Sequence, residues 1–443
     1  MDVIRALQGA NQAQTKLTKD AALFGTAAQR EKILSALAQE ISSHQDEIAS
    51  ALARTEAVPV RTFREVIGPQ TVALLSDAAQ LARVPSQERY QSAGVAVFFP
   101  PTYGAFFELG LRFAAAVTTG TSLIIMAPVD APASAQLWFQ LWDRVSRRTG
   151  HPAGLFQLLH GTIDELGSAL MSHPALRVIS AVGRPQMIKS LIEASAELRK
   201  SIHWSTGSRN PAVWVASPRW QENGTLERLA RQAVLLSFDL HRSPAVRPTR
   251  YFIQESMASE LNSALCKAIE ELRVGDPRDP ETEIGPLLRE GDLKQHLAAI
   301  ELAQKEDGRP LLVRPAWDGS PLAAPLALIR DLTLCSTLQQ DEIFGPFVNT
   351  ATYRFLFEGI GKYANSSVGH QAAYLLDPEP ERALTSAERL QFARVYLGLE
   401  PEVRATHRWY LAKGCGAGEQ GYQGLVRFLS KVSVLGDIRN PLN

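Results

Sequence analysis

Between residues 93 and 210 short, continuous apolar runs alternate with helical stretches of about a dozen residues, and this alternation limits the fold most. Gly94-Val-Ala-Val-Phe-Phe99 reads as a buried strand stopped by Pro100 and Pro101. Glu108 to Thr119 is then helical, Gly120 ends it, and Ser122-Leu-Ile-Ile-Met126 is the next strand. Ala133 to Thr149 is a helix before the strand Gly154 to Leu159. Arg177 to Val182 is a further strand, followed by a helix from Pro185 to about Leu198. Parallel strands need crossovers of this length, so the spacing predicts an α/β fold with a parallel sheet.

The flanking regions extend this pattern. Residues 1 to about 84 read as surface-packed amphipathic helices, with Ile33, Leu34, Leu37 and Ile41 at helical spacing and Thr71 to Leu81 repeating it. A second α/β unit begins near Pro211. Its expected strands are Ala212 to Val215, Arg250 to Ile253, Gly308 to Arg314, Leu332 to Ser336 and Val395 to Leu397. Its expected helices are Thr225 to Leu236, Ala258 to Leu272, Leu356 to Ala364 and Pro380 to Arg389. A chain of 443 residues has room for two or three cores.

Charge excludes some partners. Lys+Arg and Asp+Glu both total 46, which favours neither a nucleic acid nor a membrane partner. Three scattered cysteines, Cys266, Cys335 and Cys415, suit a reducing compartment, and no signal segment or long apolar run is evident. The expected location is cytoplasmic. None of the nine histidines stands at metal-ligand spacing with a second His or Cys, so no metal is expected.

The loop Ser237-Phe-Asp-Leu-His-Arg-Ser-Pro-Ala-Val-Arg-Pro-Thr-Arg250, leading into Tyr251-Phe-Ile253, resembles the nucleophile segment of the aldehyde dehydrogenase superfamily, Phe-x-Asn-x-Gly-Gln-x-Cys-x-x-x-x-Arg. Further likenesses follow in family order. They are Val117 to Met126 with Pro132, His173 to Gly183, Ile202 to Ala212, Val274-Gly-Asp-Pro-Arg-Asp-Pro with Glu283-Ile-Gly-Pro286, and Glu342-Ile-Phe-Gly-Pro346. The resemblance covers nearly the whole chain. It implies two parallel-sheet α/β domains facing a crevice. A cofactor-type domain would hold residues 1–210, completed by about 405–443, and a catalytic-type domain 211–404. The family's oligomerisation hairpin is reduced or absent, with only Arg83 to Ser92 available, so the usual family oligomer is doubtful.

The same resemblance locates the chemistry. The family needs a thiolate nucleophile, an oxyanion donor and a Glu that activates water. The nucleophile position falls on Ala245, the base position on Ser205 and the oxyanion position on about Tyr103. Alanine cannot attack a carbonyl, and a Ser hydroxyl does not take a proton from water near neutral pH. Catalytic residues are therefore expected to be missing, leaving an inactive member with a binding or scaffold role. The rival reading is an NAD(P)-dependent aldehyde or semialdehyde oxidoreductase with a noncanonical nucleophile, for which Cys415 is the best stand-in. Cofactor positions are mixed. Met126 replaces a ribose-binding Lys and Arg184 a small hydroxyl residue, while Glu342, Phe344 and Gly183 persist and are read as vestigial contacts in a chain where no cofactor is expected and NAD(P) is the less favoured reading. Gly416-Ala-Gly418-Glu-Gln-Gly421 fits a dinucleotide spacing, but too little chain follows for a βαβ unit. Finally, Arg184, His203, His241, Arg242 and Arg247 are candidates for an anion pocket. A small anionic ligand or a protein is the expected partner.

Overall fold

The computed structural model describes residues 2–19, 27–81, 90–151, 153–207, 209–242, 246–341, 343–366, 371–392, 394–399 and 429–431. Two sheets organise them, the first parallel and the second parallel except at one edge strand. The first contains β2 (Val95–Phe99), β3 (Ser122–Ala127), β4 (Phe156–His160), β5 (Leu176–Val182) and β6 (Ser201–Ser205), in spatial order β4-β3-β2-β5-β6. Every neighbouring pair in it is parallel. Helices Ala105–Thr119, Ala133–Thr149, Ile163–Ser172 and Pro185–Glu197 make the crossovers.

Local chemistry explains where these helices begin and end. Thr162 accepts from the Glu165 N–H at 3.2 Å while the Glu165 carboxylate accepts from the Thr162 N–H at 2.9 Å, a reciprocal cap. Gly120 and Gly150 end their helices at φ 67° and 74°, conformations costly for a residue with a Cβ. Between the sheet and the N-terminal helices, Phe113 stacks on Phe156 at 4.1 Å and on Trp138 at 4.7 Å. The Trp138 indole N–H donates to the Phe106 carbonyl at 2.8 Å, which satisfies its only polar group in the core.

The second sheet has the order β13-β12-β7-β8-β11-β10-β9. It comprises β7 (Asn210–Trp214), β8 (Pro248–Gln254), β9 (Arg309–Arg314), β10 (Leu326–Arg330), β11 (Phe347–Tyr353), β12 (Ala372–Leu376) and β13 (Arg394–Leu397). Only β9 runs antiparallel to its neighbour. Its core includes Trp214, Tyr251 and Tyr374, all fully buried.

Several expectations are corrected. Leu332 to Ser336 is not a strand. The sheet takes Leu326–Arg330 instead, and Asp331 at φ 66° turns the chain out of extended conformation immediately afterwards. Leu356 to Ala364 is not an α-helix but mainly a π-helical turn, Glu358–Tyr363. β1 (Tyr90–Ser92) pairs antiparallel with β14 (Leu429–Lys431) of the same chain. Gly416 to Gly421 and Cys415 lie outside the described residues. Among the described residues no helix is long and apolar enough to cross a membrane.

Candidate functional site

Spatially β2 lies between β3 and β5, so the chain reverses its direction across the first sheet at the β2/β5 boundary. Side chains beyond the carboxyl ends of two such strands open a crevice, the usual ligand position in an open α/β sheet. Here that crevice is a cavity of about 190 Å³. Tyr103 and Arg184 enter it from the β2 and β5 ends, and Arg247, Thr249, Arg289 and Phe344 approach from the second-sheet side. The loop before β8 is held close by Gly104. At φ 71° it starts the helix Ala105–Thr119, and a Cβ there would meet the His241 and Arg242 carbonyl oxygens at 3.1 Å.

Asp292 is the electrostatic hub. Its fully buried carboxylate accepts from Tyr103 Oη at 3.0 Å, from Arg289 Nε at 3.0 Å and from Arg184 Nη2. Tyr103 Oη in turn accepts from the Leu288 N–H at 2.7 Å. Burial, with the Asp292 carboxylate adding to it, pushes the Tyr103 phenol above its ordinary range, so it stays a neutral donor. Arg289 also reaches Asp130 at 3.4 Å. Phe344 packs on Tyr103 with ring centroids 4.8 Å apart, and the Arg184 guanidinium stands 6.0 Å from the Phe344 ring.

The family-implied catalytic positions divide. Ala245 and Glu342 lie outside the described residues. Ser205, at the end of β6, is buried, and its hydroxyl donates to Gln371 Oε1 at 3.3 Å. Tyr103 lines the crevice, but its hydroxyl is already engaged by Asp292 and Leu288. Gly183 begins the turn into the helix Pro185–Glu197, and a Cβ there would collide with Met187 Cε. Met126 is buried in an apolar cluster with Ile179, Ala181 and Ile188. Cys266 is half-buried on the helix Ala258–Glu270 and Cys335 is exposed. Neither lines the crevice.

The five anion-pocket candidates do not converge. Arg184 and Arg247 line the cavity. His203 instead faces Ser180 across the β5/β6 ladder, with Nδ1 3.4 Å from Ser180 Oγ, because side chains alternate between the faces of a strand. Ser180 also accepts from Arg112 at 3.2 Å, so His203 belongs to a polar cluster within the first unit. His241 and Arg242 stand behind the wall, organised by Asp239. That carboxylate accepts from the His241 backbone N–H at 3.0 Å and from Arg242 Nε at 3.2 Å. Burial lowers the His241 pKa and favours a neutral ring.

Sequence reasoning missed Arg289, Asp292 and Thr249. Asp292 and Arg289 at the start of the helix Glu290–Lys305 give only a generic first-turn pattern. Thr249 looked like an ordinary strand residue, yet it is buried, lines the cavity, and its Oγ1 has no hydrogen-bond partner among the described residues.

Comparison with known proteins follows the same outline. A family model described as aldehyde dehydrogenase family matches residues 1–434. A 3,6-anhydro-alpha-L-galactose dehydrogenase from Vibrio sp. (strain EJY3) is 23% identical over 428 residues, spanning 91% of this chain and 86% of the relative. Aldehyde dehydrogenase C from Pseudomonas syringae, solved as a mutant with NAD+ and octanal, superposes with a TM-score of 0.83 at 20% identity, covering 97% of this chain and 87% of that one. An NAD-dependent aldehyde dehydrogenase from Sinorhizobium meliloti gives a TM-score of 0.85 at 20% identity, with 97% and 85% covered.

Proposed function

The chain belongs to the aldehyde dehydrogenase family, and from that premise we propose that it is a member without aldehyde-oxidising activity, acting as a binding or scaffold protein. The observation that carries this reading is the composition of the crevice wall. Among the described residues it offers arginines, two threonines, a tyrosine and apolar side chains, with neither a thiol nor a carboxylate in the lining. Ser205 stands at the family's base position with its hydroxyl turned to Gln371, and Ala245 occupies the nucleophile position in the sequence. Acyl transfer to the protein needs a nucleophile and its hydrolysis needs a base. Under the same reading, residues 1–210 with about 405–443 form the cofactor-type domain and 211–404 the catalytic-type domain.

Nicotinamide cofactor chemistry also fits poorly. A pyrophosphate would be drawn to the N-terminus of the helix Pro185–Glu197. There the Arg184 guanidinium is committed to Asp292 across the crevice. The ribose-binding Lys of the family is replaced by Met126, whose side chain is buried among apolar groups. A cavity of about 190 Å³ is smaller than the roughly 300–1,000 Å³ of ordinary small-molecule sites.

The test is nicotinamide absorbance with NAD+ or NADP+ and a panel of aldehydes, on the native protein and on Cys415→Ala. No rate above the protein-free control is expected. Robust turnover that disappears in Cys415→Ala would replace this reading with that of an oxidoreductase using a noncanonical nucleophile.

A further inference from the structure

Away from the crevice, the second unit carries an apolar surface that its own packing leaves uncovered. Phe355 and Phe357 are 59% and 67% exposed, with rings within 10° of parallel and centroids 5.8 Å apart. Their backbone is held in place. Glu358 Oε2 accepts from the Arg354 N–H at 3.3 Å and the Phe355 N–H at 3.2 Å, and the Phe355 carbonyl accepts from the Glu358 N–H at 2.8 Å. Leu356, Phe357 and Ile360 form one wall of an open groove of about 360 Å³, which shares no lining residue with the crevice. The opposite wall comes from the helix Pro380–Ala387 and the turn that follows it. Single exposed apolar residues are ordinary, but a stacked and held aromatic pair beside a groove marks a contact surface.

The facing helix identifies the occupant. Ala383, Ser386 and Leu390 are buried, so Glu381, Leu384, Thr385 and Glu388 share its outer face, with Leu384 59% exposed. The sequence there, Glu381-Arg-Ala-Leu-Thr-Ser-Ala-Glu-Arg389, begins and ends on the same acid–base doublet. Laid antiparallel on a second copy about a two-fold axis at Thr385, Glu381 faces Arg389 and Arg382 faces Glu388, so all four charges meet their opposites. A parallel pairing in register would set like against like. The ion pairs at this surface, Arg219 with Glu379 and Arg382 with Asp377, use neither Glu381, Glu388 nor Arg389. A helix that complements itself only when antiparallel has the symmetry of an isologous dimer. A formal net charge of zero puts no long-range repulsion between copies.

We propose that this surface is a contact between two copies of the chain, which pair the helix Pro380–Ala387 antiparallel about Thr385 and cover each other's Phe355, Phe357 and Leu384. This goes beyond the binding role proposed above and does not depend on it. Burial of the aromatic pair supplies the attraction, and the charge order sets the register. Glu381 with Arg389 matters most among the charges, because Arg382 already holds Asp377. Standard interfaces engage about 20–30 residues a side, more than one helix and one turn provide, so the association is expected to be reversible and micromolar.

The experiment is analytical ultracentrifugation of the full chain across about 1–100 µM. The mass is expected to double reversibly over that range. Phe355→Ser with Phe357→Ser, at sites exposed enough to leave the fold intact, is expected to remove that step. Glu381→Arg and Arg389→Glu are each expected to weaken it about fivefold or more, since each turns two symmetric attractions into repulsions. The double exchange restores opposite charges and is expected to return the dissociation constant to within about twofold of native. A mass that does not change with concentration would overturn the proposal and assign the patch to a partner other than this chain. An association step untouched by the phenylalanine substitutions, or a double exchange no tighter than the single ones, would overturn it as well. The aldehyde assay bears on the inactive reading alone, so the two can fail separately.

Discussion

Arg184, at the start of a helix crossing the first sheet, donates to Asp292 on a helix packed with the second. The two side chains differ sharply in exposure, 42% for Arg184 and 1% for Asp292. Removing the buried partner should therefore cost more than removing the exposed one. Asp292→Ala leaves two guanidiniums and the Tyr103 hydroxyl facing a lost carboxylate and should destabilise by about 3–5 kcal/mol. Arg184→Gln should cost no more than about 1 kcal/mol, since solvent screens much of that pair. Urea unfolding of the two variants checks the order, and equal losses would show that the contact is mutual rather than centred on Asp292.

Tyr103→Phe isolates a smaller piece of the same hub. It deprives Asp292 of one donor and the Leu288 N–H of its acceptor, both inside the protein. A loss of about 1–3 kcal/mol is expected in chemical denaturation, with far-ultraviolet circular dichroism unchanged.

Glu56 gives a prediction in pH. It is 2% exposed and accepts from the Ser134 N–H at 2.7 Å and the Ser134 hydroxyl at 2.5 Å. Burial raises its pKa from 4.5 to about 7 despite those bonds. The folded state then holds a proton that the unfolded state has released between about pH 4.5 and 7. Stability should fall by about 3 kcal/mol as pH rises through that window. Glu56→Gln should flatten this slope, as followed by thermal unfolding at a series of pH values.

His241 should act in the opposite direction. Its pKa is held below the ordinary 6.5, first by burial, so the unfolded chain takes up the proton before the folded one does. Acidification below about pH 6.5 should destabilise the native chain through this residue. His241→Gln should remove that acid-side loss while leaving the Glu56 slope intact. A variant that steepened the loss would refute the assignment.

The parallel architecture was legible because β2, β3 and β5 are nearly uninterrupted apolar runs buried on both faces. Leu332 to Ser336 misled because its alternating apolar residues look like a strand, whereas Asp331 in the left-handed region diverts the backbone first. The crevice was half legible. Arg184 and Arg247 could be placed by their positions after β5 and before β8, but the alternation of a strand turned His203 inward to Ser180. Asp292 stayed hidden because it meets Arg184 across 108 residues of chain, and no local periodicity encodes such a meeting. Thr249 stayed hidden for a different reason. Its importance lies in an unmade bond, which only three-dimensional neighbours can reveal.

The pairing of Tyr90 with Lys431 has a consequence for biosynthesis. On the ribosome, the β1 segment emerges long before the strand that completes its ribbon has been translated. At ~5–20 residues per second the interval is on the order of tens of seconds. Once synthesis has passed Ser205, the β1 edge still presents unmatched peptide groups beside a first sheet whose strands are all available. A nascent chain stalled before Leu429 would therefore expose a seam suited to recognition by a chaperone or to pairing with another nascent chain.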